Sequence, residues 1–138
     1  MLLWTTIVPV GFGVFFLLHY AGRILGEAYS SRQVAGYIQG IERDNLLTHI
    51  RPVAVLDTRR DVEYGLGFYL DQRIERYERG EVPTMDHILV ARAGQHDRIE
   101  KLIGPNRKFI SFGSPFPGSV NPQHLEVLWI SSSGSLAR

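Results

Sequence analysis

The chain has 138 residues, no cysteine and a formal net charge of +1 at pH 7. That length holds one domain of ordinary size. The missing cysteine excludes a disulfide scaffold and thiolate-held zinc, and the near-zero charge excludes a nucleic-acid binder that depends on a strong positive field.

Part of the length is spent before the domain begins. From Leu2 to Tyr20 the run LLWTTIVPVGFGVFFLLHY has no Asp, Glu, Lys or Arg, and at ~1.5 Å per residue it is about as long as the ~30 Å hydrocarbon layer. A secretory signal peptide would carry basic residues ahead of its apolar stretch and a small-residue cleavage site behind it. Nothing basic precedes Leu2, and AGRILGEAYS matches A-x-A poorly. A buried core helix rarely needs so long an apolar run, and the remaining chain is too small to wrap one. The segment therefore reads as a transmembrane helix. Trp4 and Tyr20 serve as interfacial anchors, His19 sits at the interface, and Pro9, Gly11 and Gly13 are tolerated inside lipid. Arg23 and Arg32 follow the span and, taken alone, place its C-terminal side in the cytoplasm.

Charge density then rises. SSRQVAGYIQGIERDNLL sets Val34, Tyr37, Ile38 and Ile41 at helical spacing, with Ser30 or Ser31 as N-cap. RPVAVLDT predicts a buried strand from about Val53 to Asp57. Asp61 can cap a helix with Glu63 in its first turn and Val62, Leu66 and Tyr69 or Leu70 on one face, ending at Asp71 and Gln72. RIERYE predicts an exposed edge strand in which Ile74 alternates with arginines. HILVAR repeats the buried-strand pattern. GQHDRIEKLIG follows as a short helix with Ile99 and Leu102 inward and Gly104 at its C-terminal cap. RKFISFG is a fourth strand. After the connection SPFPGSVNPQ, HLEVLWIS is a fifth, with Leu125, Val127 and Trp129 alternating against Glu126 and Leu128. Strands separated by helices predict an α/β domain with a mostly parallel or mixed sheet, covered by the first soluble helix. Residues 1–29 form the transmembrane helix and juxtamembrane segment, 30–131 the soluble domain, and 132–138 a flexible tail.

Chemistry concentrates in DTRRDVEYGLGFYLDQRIERYERGEVP. Arg59, Arg60 and Asp61 lie where a strand hands over to a helix N-terminus, a place that suits a phosphate or other anion. The plainer alternative has the arginines solvating a loop and pairing with Asp57 or Asp61. Gly65 and Gly67 would each cost a helix ~1 kcal/mol relative to Ala, so both point to close backbone approach that lets this aromatic-rich helix lie close to its sheet. They do not form a dinucleotide fingerprint, because the third glycine is missing. Tyr64, Phe68 and Tyr69 are either core packing or a sugar platform, with Tyr77 beside them, and helical spacing favours packing. Arg73, Arg76 and Arg79 could face anionic headgroups, but Glu75, Glu78 and Glu81 interleave with them and favour a solvated edge. His87 beside Asp86 and His96 beside Asp97 lack metal-ligand spacing, and no hydrolase, P-loop or kinase signature occurs.

The chain resembles the C-terminal part of bacterial membrane glycosyltransferases of the protein mannosyltransferase and aminoarabinose transferase superfamily. The similar stretch is r-x-x-E-Y-G-L-x-F-Y-x-x-x-x-I-x-R-Y, carried by Glu63, Tyr64, Gly65, Leu66, Phe68, Tyr69, Ile74, Arg76 and Tyr77. The resemblance implies a last membrane span followed by a small soluble domain outside the cytoplasmic membrane, in the periplasm, and it overrules the orientation drawn from Arg23 and Arg32. It further implies an inverting transfer of sugar from a polyprenyl-phosphate donor to lipid or protein, with an acidic base in an early external loop. This chain has one apolar segment and no such loop, so no catalytic residue, metal ligand or cofactor is carried over. The expected entity is the C-terminal domain, or a fragment, of such a transferase, noncatalytic alone. Arg59, Arg60, Asp61 and Arg76 are its candidate anion or headgroup contacts, and Tyr64, Phe68, Tyr69 and Tyr77 its candidate sugar or packing aromatics. Expected partners are membrane lipid, a polyprenyl-phosphate sugar or a multi-span membrane protein. The alternatives are a single-span anchored module that docks a membrane protein and a small free-standing enzyme using the Arg59, Arg60 and Asp61 corner.

Overall fold

Val53–Leu56 and His87–Arg92 are aliphatic and β-branched nearly throughout, and such runs form strands that can be buried on both faces. The computed structural model describes residues 2–28, 31–44, 51–116, 121 and 123–132, and the chain divides into two units, Met1–Ser30 and Ser31–Arg138.

The first unit is helix α1, Leu2–Ala28, with Pro9 inside it. Its described side chains run from 8 to 21, a rise of only ~20 Å. Phe12, Phe15, Phe16, Leu17 and Leu18 are all exposed, and Phe15 stacks along the helix on His19 as Phe16 does on Tyr20. Among the described residues no helix is long and apolar enough to cross a membrane, so the expected transmembrane helix is not carried by the fold. The side chains of Trp4 and Arg23 and the cap candidate Ser30 lie outside the described residues, as does the tail beyond Ser132.

The second unit is a five-stranded mixed sheet. Its elements are α2 (Ser31–Asp44), β1 (Val53–Leu56), α3 (Arg60–Leu70), β2 (Glu75–Arg76), a 3-10 turn at Tyr77–Arg79, β3 (His87–Arg92), α4 (His96–Ile103), β4 (Arg107–Gly113) and β5 (Leu125–Ser132). The strand order is β2-β1-β3-β5-β4. β1 is parallel to both β2 and β3, in register Val55 with Arg76 and with Val90. β5 runs antiparallel between β3 and β4, Leu128 opposite both Leu89 and Ser111.

Alternation along the central strands divides the core in two. Val53, Val55, Ile88, Val90, Leu125 and Val127 face one side, where Val34, Ala35 and Ile38 of α2 and Val62 and Leu66 of α3 cover them. Ala54, Leu56, Leu89, Ala91, Leu128 and Ile130 face the other, under Ile99 and Ile103 of α4. Each large aliphatic residue so buried contributes about 1.5–3 kcal/mol of transfer free energy.

Several expectations are corrected in detail. α3 is entered through Arg59 as N-cap, without a side-chain cap bond, and Asp61 lies inside its first turn. Asp71 ends it in the left-handed region at φ 49°. RIERYE is not a long strand, because only Glu75 and Arg76 pair with β1 before the chain coils into the 3-10 turn. Ile103 rather than Leu102 joins Ile99 inward, since the i, i+4 pair shares a face. Trp129 is only partly buried, with the Arg51 guanidinium 5.7 Å above its ring, while Leu128 is fully buried. Gly104 takes the expected cap position at φ 81°.

Candidate functional site

The stretch from Asp57 to Glu81 folds around one ion pair. Arg76 Nη1 donates to Glu63 Oε2 at 2.5 Å, Nη2 donates to the Thr58 carbonyl at 2.6 Å, and Nε lies 3.4 Å from Glu78 Oε2. The other Glu63 oxygen accepts from Arg79 Nη1 at 3.5 Å. The side chains of Arg76 and Glu63 are 14% and 9% exposed, so the guanidinium ties the first turn of α3 to β2 with all three nitrogens engaged. Burial draws the Arg76 pKa down, and the Glu63 hydrogen bond with the charges of Glu78 and Glu63 more than offsets it, leaving the value raised.

Gly65 explains how close α3 comes to α2. A Cβ there would stand 2.3 Å from both Cβ and Oγ of Ser31, whose hydroxyl donates to the Asp61 carbonyl at 3.1 Å. The close approach expected of this glycine is thus helix against helix rather than helix against sheet.

The aromatics divide. Tyr77 is buried and joins the α4-side core. Its O–H donates at 2.5 Å to His87 Nε2, since Nδ1 of that ring lies 2.8 Å from the Met85 carbonyl and must carry the proton. Burial pushes the His87 pKa down to about 4, with the Met85 carbonyl and Asp86 acting against it and Arg107 with it. Burial likewise raises the Tyr77 phenol, partly offset by the charge of Arg107. Tyr64, Phe68 and Tyr69, by contrast, are 65%, 80% and 44% exposed. The helical spacing that favoured core packing is real, but the stripe it marks faces away from Val62 and Leu66. Phe68 and Tyr69 meet edge to face with centroids 5.3 Å apart.

Arg59 pairs with Asp61 at 3.2 Å on the surface, and Arg60 is exposed at the start of α3. Asp57 turns elsewhere. Its backbone, at φ 52°, donates to Glu78 Oε1 at 2.6 Å, and its carboxylate accepts from Gln95 Nε2 at 2.5 Å. This bridge joins the carboxyl ends of β1 and β3, where α3 and α4 depart to opposite faces and where open α/β sheets place ligands. Arg98 donates in turn to Gln95 Oε1 at 3.4 Å, so these polar groups are engaged with one another. Thr58, buried beside them, has no partner for Oγ1 among the described residues.

A second cluster lies on β5, signalled in the sequence only by an acid in the apolar run LEVLWI. Glu126 accepts from the Ser111 hydroxyl with one oxygen and lies 3.1 Å from His96 Nε2 with the other, while Phe109 packs against the imidazole at 5.2 Å. The carboxylate stands between hydroxyl and imidazole, so the ring cannot take the serine proton directly as a nucleophile-activating base would. Among the described residues no group of three or more His, Asp or Glu side chains could hold a metal ion. Compared with known proteins, the chain matches no family model, no curated protein and no solved structure.

Proposed function

We propose that the chain is the membrane-anchored, extracytoplasmic and noncatalytic C-terminal domain of a polyprenyl-phosphate-dependent glycosyltransferase, contributing contact to the acceptor or the lipid headgroup. The observation that carries this reading is the division of the E-Y-G-L-x-F-Y…I-x-R-Y stretch. Glu63, Gly65, Leu66, Ile74, Arg76 and Tyr77 are accounted for by packing and pairing, whereas Tyr64 and Phe68 stand in solvent. Exposed aromatics add nothing to the core and suit a contact surface with both apolar and hydrogen-bonding character. The anchor draws on the charge-free run Leu2–Tyr20 and on the exposed phenylalanines and leucines of α1, an apolar surface that water does not favour. The noncatalytic role draws on Glu63, the acid of that stretch, being committed to two arginines.

Sugar transfer tests the proposal. Reconstituted alone in vesicles with a polyprenyl-phosphate sugar, the chain transfers nothing. Combined with a multi-span transferase core, it changes which acceptor is used, and the double variant Tyr64→Ala/Phe68→Ala loses that effect. Turnover by the chain alone, or an assembled variant indistinguishable from the wild type, overturns the reading.

A further inference from the structure

Phe109 of β4 packs on the α4 side of the sheet, so alternation turns its neighbours Lys108 and Ile110 to the α2 side. There they stand directly opposite Ser131 and Trp129 of β5. Lys108 is exposed and Ile110 is 43% exposed. Trp129 is partly buried, with the Arg51 guanidinium 5.7 Å from its ring. The polar groups gathered here are short of an acceptor. Arg51 Nε and Ser131 Oγ are enclosed and have no hydrogen-bond partner among the described residues, and neither Arg51 nor Lys108 pairs with an acid among them. The carboxylates closest along the chain are engaged with backbone, Glu42 accepting from the Arg51 N–H at 3.5 Å and Asp86 from the Ser132 N–H at 3.0 Å. A guanidinium and an ammonium can only donate, and an enclosed donor left unmet costs free energy.

The geometry points to a binding site for a small phosphate monoester, its phosphate held by Arg51, Lys108 and the Ser131 hydroxyl and its organic part lying on Ile110 and the exposed edge of Trp129. Two cations and a hydroxyl match a group that carries about −1.5 to −2 charge and three acceptor oxygens. A carboxylate would leave one of the cations unmet. The ligand reaches Nε and Oγ as the long Arg51 side chain shifts across the indole, so Trp129 reports its arrival. The site lies wholly within the second unit and depends neither on α1 as an anchor nor on the proposed transferase role.

The sequence has two tryptophans, and Trp4→Phe leaves Trp129 as the only indole in the full chain, kept in detergent. Phenyl phosphate is titrated at ionic strength fixed with sodium chloride, and binding is read by Trp129 fluorescence and independently by phosphorus NMR line width. Saturable binding is expected, several-fold tighter for phenyl phosphate than for inorganic phosphate or benzoate. Lys108→Gln and Arg51→Gln each weaken it about ten-fold, whereas Lys101→Gln, on the helix that covers the other side of the sheet, leaves it unchanged. Lys108 is exposed, so its variant keeps the fold, as far-UV circular dichroism verifies. A response that does not saturate, or one weakened as much by Lys101→Gln as by Lys108→Gln, overturns the site. Equal affinity for inorganic phosphate and phenyl phosphate means that charge alone holds the ion and overturns the ester, and tighter binding of benzoate overturns the phosphate.

Discussion

Replacing Glu63 by Gln removes one charge from the most enclosed ion pair described in the domain while preserving shape. The pair joins atoms at 2.5 Å with both side chains largely shielded from water. With charge centres ~4 Å apart and an effective dielectric near ~20, the attraction is about 4 kcal/mol. Arg76 keeps the Thr58 carbonyl and Glu78 at 3.4 Å, and Arg79, half exposed, can return to water, which recovers roughly 1 kcal/mol. The expected loss is therefore about 3 kcal/mol, within the range seen when one partner of a buried pair is removed. For a unit of this size, with a urea slope near ~1.5 kcal/mol per M, the midpoint falls by about 2 M. Urea unfolding followed by far-UV circular dichroism measures it on the full chain in detergent. The double variant Glu63→Leu/Arg76→Met removes both charges and is expected to regain most of the loss. A single-variant loss below about 1 kcal/mol would mean that water screens the pair as it screens surface bridges, and the view of Arg76 as the structural tie between α3 and β2 would fail.

The His87 imidazole is held neutral by burial, so its folded pKa of about 4 lies below the usual 6.5. Its contribution to stability is complete above ~6.5 and is lost as the pH falls toward 4, by about 3 kcal/mol in all; an NMR resonance of that ring titrating near 6.5 in the folded chain would disprove it. Tyr77→Phe strands the buried His87 Nε2 without its donor and is expected to lower stability by ~1–3 kcal/mol, read as a drop in thermal midpoint. Gly65→Ala drives a methyl into Ser31 and is expected to destabilise by about 1–3 kcal/mol. Ser31→Gly in the same chain restores part of that loss, and an additive double variant would show that the two helices do not meet there. Phe68→Ala, at 80% exposure, changes stability by less than ~0.5 kcal/mol, so its effects on membrane or acceptor contact can be separated from folding.

Much of the candidate site was legible as composition but not as arrangement. Gly65 announced a close approach that the sequence directed at the sheet, whereas its neighbour Ser31 lies on a different helix. Arg76 looked like one of several interleaved charges, and only the turn from α3 into β2 brings it over Glu63. Tyr64 and Phe68 carried the spacing of a buried stripe. A helix has more than one such stripe, and the one lined by Val62 and Leu66 took the sheet. His96, Ser111 and Glu126 come from three elements and meet only once β4 and β5 pair.

Local pattern by itself determined the alternation of strands and helices, the end of α4 at Gly104 and the double-sided burial of the β1 and β3 runs, since each depends on periodicity or on residues within one turn of one another. Tertiary structure decided the strand order, the shrinking of RIERYE to a two-residue strand, the burial of Tyr77 against His87 and the outward direction of Tyr64 and Phe68. Those outcomes follow from which faces bury most apolar surface when distant segments meet, and no single segment carries that quantity.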